Sequence, residues 1–181
     1  MKDGKKCVVL GVTGGIACYK SADLCSKLNA LGYDVRVVMT ANARKLISER
    51  IFFTLSCHPV LTDLFDIPAW MPGHVGLADI ADLLVVAPAT ANFLGKFACG
   101  IADDALSTVA LTHRGKVLLA PAMNTMMWES PAVQTNCRTL RDRGIAFIGP
   151  EEGKLACGTS GAGRMSEVPA LLEKIRSMLE A

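Results

Sequence analysis

Pro121-Ala122-Met123-Asn124-Thr125-Met126-Met127-Trp128 sets one amide side chain among three methionines, directly after the run Lys116-Val117-Leu118-Leu119. That run reads as a buried strand, so Asn124 falls where a strand ends and the chain turns toward a helical pattern. In open α/β sheets, ligands bind outside the carboxyl ends of the strands. An amide placed there can meet a carboxylate or carbonyl, and methionines can wall an apolar pocket. Asn124 is equally suited to capping the helix that follows.

Three other places hold residues with comparable potential. Gly11-Val12-Thr13-Gly14-Gly15-Ile16 closes an apolar run with residues small enough for backbone N–H groups to approach a phosphate at a helix N-terminus. It is neither the G-x-G-x-x-G pattern nor a P-loop, whose lysine is missing. The second strand ends in Met39-Thr40 rather than the acidic residue that holds a ribose diol. A single terminal phosphate, as in a flavin mononucleotide, therefore suits the loop better than NAD or ATP; a purely structural tight turn is the alternative. In Pro88-Ala89-Thr90-Ala91-Asn92-Phe93, Thr90 and Asn92 could donate to the same phosphate or to a ring edge, or Thr90 could simply cap a helix. His74 follows Pro72-Gly73 and opens a helical stretch, Val75 to Ala81, whose positive end favours the neutral base. His58 and His113 lack that setting and read as loop or surface residues. Cys157 sits in a polar, glycine-rich stretch, where an accessible thiol can act as acid or nucleophile or be incidental.

The elements that must position these residues alternate along the chain. Strands are expected at Cys7–Val12, Val35–Met39, Leu83–Ala87, Lys116–Leu119 and Ala146–Ile148, with a short one at Val60-Leu61. Helical spacing covers Ala17–Leu31, Ala43–Ile47, 92–100, 104–113, Pro131–Arg143 and Val168–Leu179. Strand–helix alternation calls for a single Rossmann-like, flavodoxin-like α/β domain over 1–181: a doubly wound parallel sheet in three layers. Residues 149–164, with five glycines, are expected to form a loop that closes over a ligand.

Composition narrows the classes further. Of 181 residues, 51% are hydrophobic, yet no apolar run approaches the roughly 18 needed to span a bilayer. The apolar excess points to a buried sheet and a sticky subunit interface. A net charge of +2 with scattered cations argues against nucleic acid. Seven cysteines without a C-x-x-C pair or metal spacing suggest free thiols in a reducing, cytoplasmic setting, with Cys7, Cys18, Cys25 and Cys99 buried in apolar patterns. No apolar leader precedes the first strand.

Gly11 to Lys20, Pro88 to Asn92, Pro121 to Trp128 and Ala156-Cys157-Gly158 together resemble the homo-oligomeric flavin-containing cysteine decarboxylases, in order and over nearly the whole chain. The P-x-M-N-x-x-M-W stretch is the most specific part. The resemblance implies FMN as cofactor, bound at the interface of a homotrimer that sometimes builds a dodecamer. It places Gly14, Gly15, Ile16, Thr40, Thr90, Ala91, Asn92, Phe93 and Ala122 against FMN. It makes His74 the active-site base, Asn124 and Met127 substrate contacts with Asn124 on the cysteine carboxylate, and Cys157 a late proton donor. Phe93 departs from the Ser or Thr often found in its place, so no side-chain hydrogen bond is expected from it.

Within the family the match implies a carboxy-lyase of coenzyme A biosynthesis, taking 4′-phosphopantothenoyl-L-cysteine to 4′-phosphopantetheine. The thiol would be oxidised to a thioaldehyde, giving the departing carboxylate an electron sink, and the enethiol would then be reduced again. The alternatives are a peptidyl-cysteine decarboxylase of lantibiotic maturation, a flavin prenyltransferase and a non-enzymatic flavoprotein binding module. The family's decarboxylase is often fused to a synthetase, so a chain ending after the last helix either works alone or is the first part of such a fusion.

Overall fold

Successive apolar residues, rather than alternate ones, mark strands that are covered on both faces. The computed structural model describes residues 4–65, 73–154, 158 and 160–180. In it β1 (Cys7–Val12), β2 (Asp34–Met39), β3 (Leu83–Ala89), β4 (Lys116–Pro121) and β5 (Ala146–Phe147) form a parallel sheet in the order β2-β1-β3-β4-β5. This is the flavodoxin-like order, with its topological switch between β1 and β3. Every residue of β1 and of β3 is buried.

The pleat divides those residues between two apolar layers. Val8, Leu10, Val12, Leu83, Val85, Ala87, Leu118 and Ala120 face α1 (Cys18–Ala30), α3 (Glu49–Ser56) and α9 (Val168–Glu180). Val9, Leu84, Val86, Val117 and Leu119 face α4 (His74–Ile80), α5 (Ala91–Cys99), α6 (Ala105–Thr112) and α8 (Pro131–Asp142). A fully buried leucine such as Leu10 or Leu118 contributes about 2 kcal/mol, against about 1 kcal/mol for a helix cap. Sheet burial therefore fixes where the strands end, and the caps then adjust the loops.

Five expectations change. Where the expected loop over 149–164 falls on described residues, β6 (Glu151–Lys154) and β7 (Ser160–Arg164) pair antiparallel. Their backbones carry the pairing, since a glycine-rich pair has no apolar alternation to betray it. The helix expected over 43–47 is shorter and earlier, α2 (Ala41–Arg44), and α3 follows behind a Ser48 cap. Cys99 is exposed at the end of α5, where Gly100 turns the chain with φ +73. His113 is buried rather than on the surface, because two backbone carbonyls close over its ring. Leu61 adds one parallel bridge to Val38 in place of a strand. Among the described residues no helix is long and apolar enough to cross a membrane.

Candidate cofactor and substrate site

Parallel strands deliver their following loops to one edge, and β1, β2, β3 and β4 all end at a single cavity of about 970 Å³. That volume is in the range of small-molecule and cofactor sites. The loop after β1 contributes Gly14, Gly15 and Ile16, and the end of β2 contributes Thr40. The end of β3 brings Thr90, Ala91, Asn92 and Phe93, and β4 brings Ala122, Asn124 and Met127. Residues picked from four separate stretches of sequence thus share one wall.

A hydroxyl joins the two halves of that wall. Thr13, only 1% exposed, donates to the Pro88 carbonyl at 2.7 Å and accepts the Thr90 N–H at 3.2 Å. Ser21 donates to the neighbouring Ala87 carbonyl at 2.5 Å. Leaving either partner of Thr13 buried without its bond would cost about 1–3 kcal/mol. Gly14 is glycine for a steric reason: a Cβ there would come within 2.5 Å of the Asn42 Cβ. α1 begins at Cys18 behind Ala17, which offers no side-chain cap; the Cys18 N–H turns back to the Gly15 carbonyl at 2.9 Å and the Lys20 N–H to the Ala17 carbonyl at 3.0 Å, while no hydrogen bond is made by the N–H groups of Gly14 and Ile16 among the described residues. Small residues beside a helix N-terminus are a setting in which backbone N–H groups can approach a phosphate.

The capping reading holds for Thr90 and Asn124, and Thr40 caps a helix as well. Thr40 caps α2 by accepting the Ala43 N–H at 3.3 Å, and Thr90 caps α5 through the Phe93 N–H at 3.4 Å. Asn124 Oδ1 accepts the Met126 N–H at 2.8 Å and caps α7 (Thr125–Trp128). All three side chains nonetheless line the cavity. Phe93 is 2% exposed and tilts against Phe97 with ring centroids 5.7 Å apart, so its ring supports the wall from behind. β7 lies across the Asn124 segment. Met123 donates its N–H to the Gly163 carbonyl at 3.0 Å, and a Cβ on Gly163 would run into the Met123 carbonyl oxygen.

Charged and amide side chains outside the residues picked from the sequence also reach the cavity: Lys20, at the end of the first motif, and Asn42, Lys96, Asp103, Asp104 and Arg164, which belong to none. Lys20 Nζ donates to Glu167 Oε1 at 2.8 Å and to the Met165 carbonyl at 3.2 Å, and Arg164 Nη2 reaches the same carboxylate oxygen at 2.8 Å. The Lys20 hydrogen bond, helped by Arg164, holds the Glu167 carboxyl below its ordinary range. On the opposite rim Lys96 Nζ lies 2.7 Å from Asp103 Oδ1 and 3.3 Å from Asp104 Oδ2. Hydrogen bonding to Asp103, and then to Asp104, raises the Lys96 ammonium's pKa. Lys96 stands four residues after Asn92 on α5, so its spacing was the one available clue.

Two expected site residues do not join the group. His74 is the first residue of α4, behind Gly73, and does not line the cavity of its own chain. Cys157 lies outside the described residues. The other thiols behave as buried apolar groups or surface residues. Burial pushes Cys25 up to about 12 and raises Cys18 and Cys137, whereas Cys57 and Cys99 are exposed.

Comparison with known proteins gives a consistent result. The family model described as Flavoprotein matches residues 1–180. The coenzyme A biosynthesis bifunctional protein CoaBC of Bacillus subtilis (strain 168) is 48% identical over 161 residues, 88% of this chain and 40% of that protein. The chain thus spans about two fifths of the length of the curated relatives it matches. A PPC decarboxylase mutant complexed with pantothenoylaminoethenethiol superposes with a TM-score of 0.86 at 30% identity, covering 98% of this chain and 100% of that one. The FMN-dependent cysteine decarboxylase SpaF does so with a TM-score of 0.83 at 33% identity, covering 98% of both chains.

Proposed function

This chain belongs to the Flavoprotein family, and from that membership we propose that it binds FMN and decarboxylates 4′-phosphopantothenoyl-L-cysteine to 4′-phosphopantetheine, a step of coenzyme A biosynthesis. One observation carries the reading: the Gly14–Ile16 loop, the Thr90–Phe93 wall and the Asn124–Met127 segment open onto one cavity of cofactor-plus-substrate size. The similarity to CoaBC proteins and to a PPC decarboxylase supports the choice of substrate. Residues 1–181 act as one flavoprotein domain in this reading, working in the cytoplasm.

The residues present fit FMN. Gly14, Gly15, Ile16 and the uncapped start of α1 would take its phosphate, and Thr40, Thr90, Ala91, Asn92, Phe93 and Ala122 would line its ring. When bound, FMN supplies a reversible two-electron acceptor for a CH2–SH group, which no side chain of the cavity can supply. Asn124 orients the substrate carboxylate with a neutral amide, its plane set by the bond from Oδ1 to the Met126 N–H. A cation in that place would stabilise the charge that has to leave and so favour the ground state. Met127 provides apolar contact beside it. His74 takes and returns the thiol proton, and Cys157 delivers the last proton to the enethiol carbon.

Because His74 stands away from its own cavity, it serves the cavity of a neighbouring copy in a homotrimer, which can assemble further into a dodecamer. Ile16 and Tyr19 are 65% and 63% exposed at the cavity's edge and would be covered by that neighbour.

The test supplies FMN-loaded protein with phosphopantothenoylcysteine or with a peptide ending in cysteine, and weighs the products. Loss of the mass of CO2 alone from the first substrate is expected. Loss of CO2 plus two hydrogens from the peptide, with the first substrate untouched, would overturn the proposal in favour of a peptidyl-cysteine decarboxylase.

A further inference from the structure

His113 lies outside the cavity, is 9% exposed, and has no part in the chemistry proposed above. Its ring meets two backbone carbonyls from different elements. Nδ1 is 3.0 Å from the Ala78 carbonyl oxygen in α4, and Nε2 is 3.2 Å from the Lys116 carbonyl oxygen at the start of β4. A carbonyl oxygen only accepts and a neutral imidazole carries a single N–H, so the tautomer with its proton on Nδ1 donates to the nearer of the two, the Ala78 carbonyl. Gly115 clears the slot: a Cβ there would come within 2.8 Å of ring atoms Cε1 and Nε2.

The Ala78 carbonyl needs such a donor. The last four carbonyls of a helix have no partner within it. α4 ends at Ile80; the Leu77 carbonyl is taken by the Ala81 N–H at 3.2 Å, while the Ala78 carbonyl faces the His113 ring. Helices this short are not stable on their own. α4 has seven residues and its N-cap, Gly73, offers no side chain. Its pose therefore rests on Leu77 and Ala78, which pack into the layer it shares with α6, and on the bond from His113, the C-cap residue of α6. His74 sits one helical turn before Ala78 on the same face.

Resting on the reading of His74 as the base, we infer that His113 is a positioning residue. It fixes α4 through the Ala78 carbonyl and so sets where His74 presents its imidazole. A small displacement of a reacting group is enough to cost rate while leaving binding intact.

A double-mutant cycle on the FMN-loaded enzyme tests this. His113→Leu should lower kcat about tenfold with KM and FMN affinity unchanged. His113→Gln, which keeps one amide donor, should recover part of the loss and guards against simple misfolding. In a His74→Asn background His113→Leu should take nothing further from the residual single-turnover rate, because the two side chains act as one unit. Amide exchange of residues 75–80 should quicken in His113→Leu while that of α1 stays the same. An equal loss of rate in both backgrounds, or unchanged exchange in α4, overturns the role of His113. Wild-type turnover in His74→Asn alone would sink the reading of His74 itself.

Discussion

In the proposed reaction Asn124 would carry two duties with one amide, and they can be separated chemically. Its oxygen caps α7 through the Met126 N–H, a duty an aspartate performs as well. Its amide hydrogens are what a substrate carboxylate would meet, and there aspartate presents a like charge instead. Asn124→Asp should therefore keep its urea midpoint close to wild type while losing turnover. A parallel fall in stability would mean that the residue matters only as a cap. Thr90 follows the same economy, since its oxygen caps α5 while its side chain lines the cavity.

At the scale of elements, the hairpin β6–β7 is tied to α1 and α9 by Lys20, Arg164 and Glu167. The folded state holds the Glu167 carboxyl below its ordinary value, so this tie adds stability above about pH 4.3 and loses it as the pH falls through the lowered value. With Glu167 half exposed, its contribution is under about 1 kcal/mol. Glu167→Gln should accordingly be slightly less stable than wild type at pH 7 in urea titrations, with the gap narrowing below about pH 4. A gap that held constant down to pH 2 would contradict the ion pair as its cause.

The elements differ in how far the sequence announced them. β1, β3 and β4 were legible because five to seven successive residues are buried between the two layers, and β2 through Val35, Val37, Val38 and Met39 around the half-buried Arg36. The hairpin was not, since Gly161 and Gly163 are there to let β7 approach Thr125 and Met123, a demand made by a distant segment. His113 was misjudged for a related reason. The carbonyls that bury it come from Ala78, 35 residues earlier, and from the turn beneath it, and neither leaves a periodicity. The glycine loop, Thr90–Phe93 and Asn124 could be gathered from the sequence because each follows an apolar run. Lys20, Lys96 and Arg164 reach the rim from within helices and a strand, where a cation normally means only a solvated face.

At the scale of the whole molecule, the separation of His74 from its own cavity predicts complementation between inactive copies. His74→Asn and Asn124→Asp, each without turnover, should regain about a quarter of wild-type activity when mixed and allowed to exchange subunits, because one cavity in four then draws a good residue from each copy. Sedimentation of the mixture should match the wild-type oligomer. Activity that stays absent after demonstrated exchange would place both residues in the same copy's cavity.

The Thr13 hydroxyl bonds a residue 75 positions later in the chain, and β1 gains its partner β3 across the same distance. A ribosome adding about 5–20 residues per second delivers that partner many seconds after β1 has emerged. Until then the glycine loop has β2 on one side and nothing on the other. A nascent chain halted before Pro88 holds Gly14, Gly15 and Ile16 but lacks the Pro88 carbonyl and the Thr90 N–H that brace Thr13, so in the proposed reading cofactor loading waits until β3 and the turn after it have emerged.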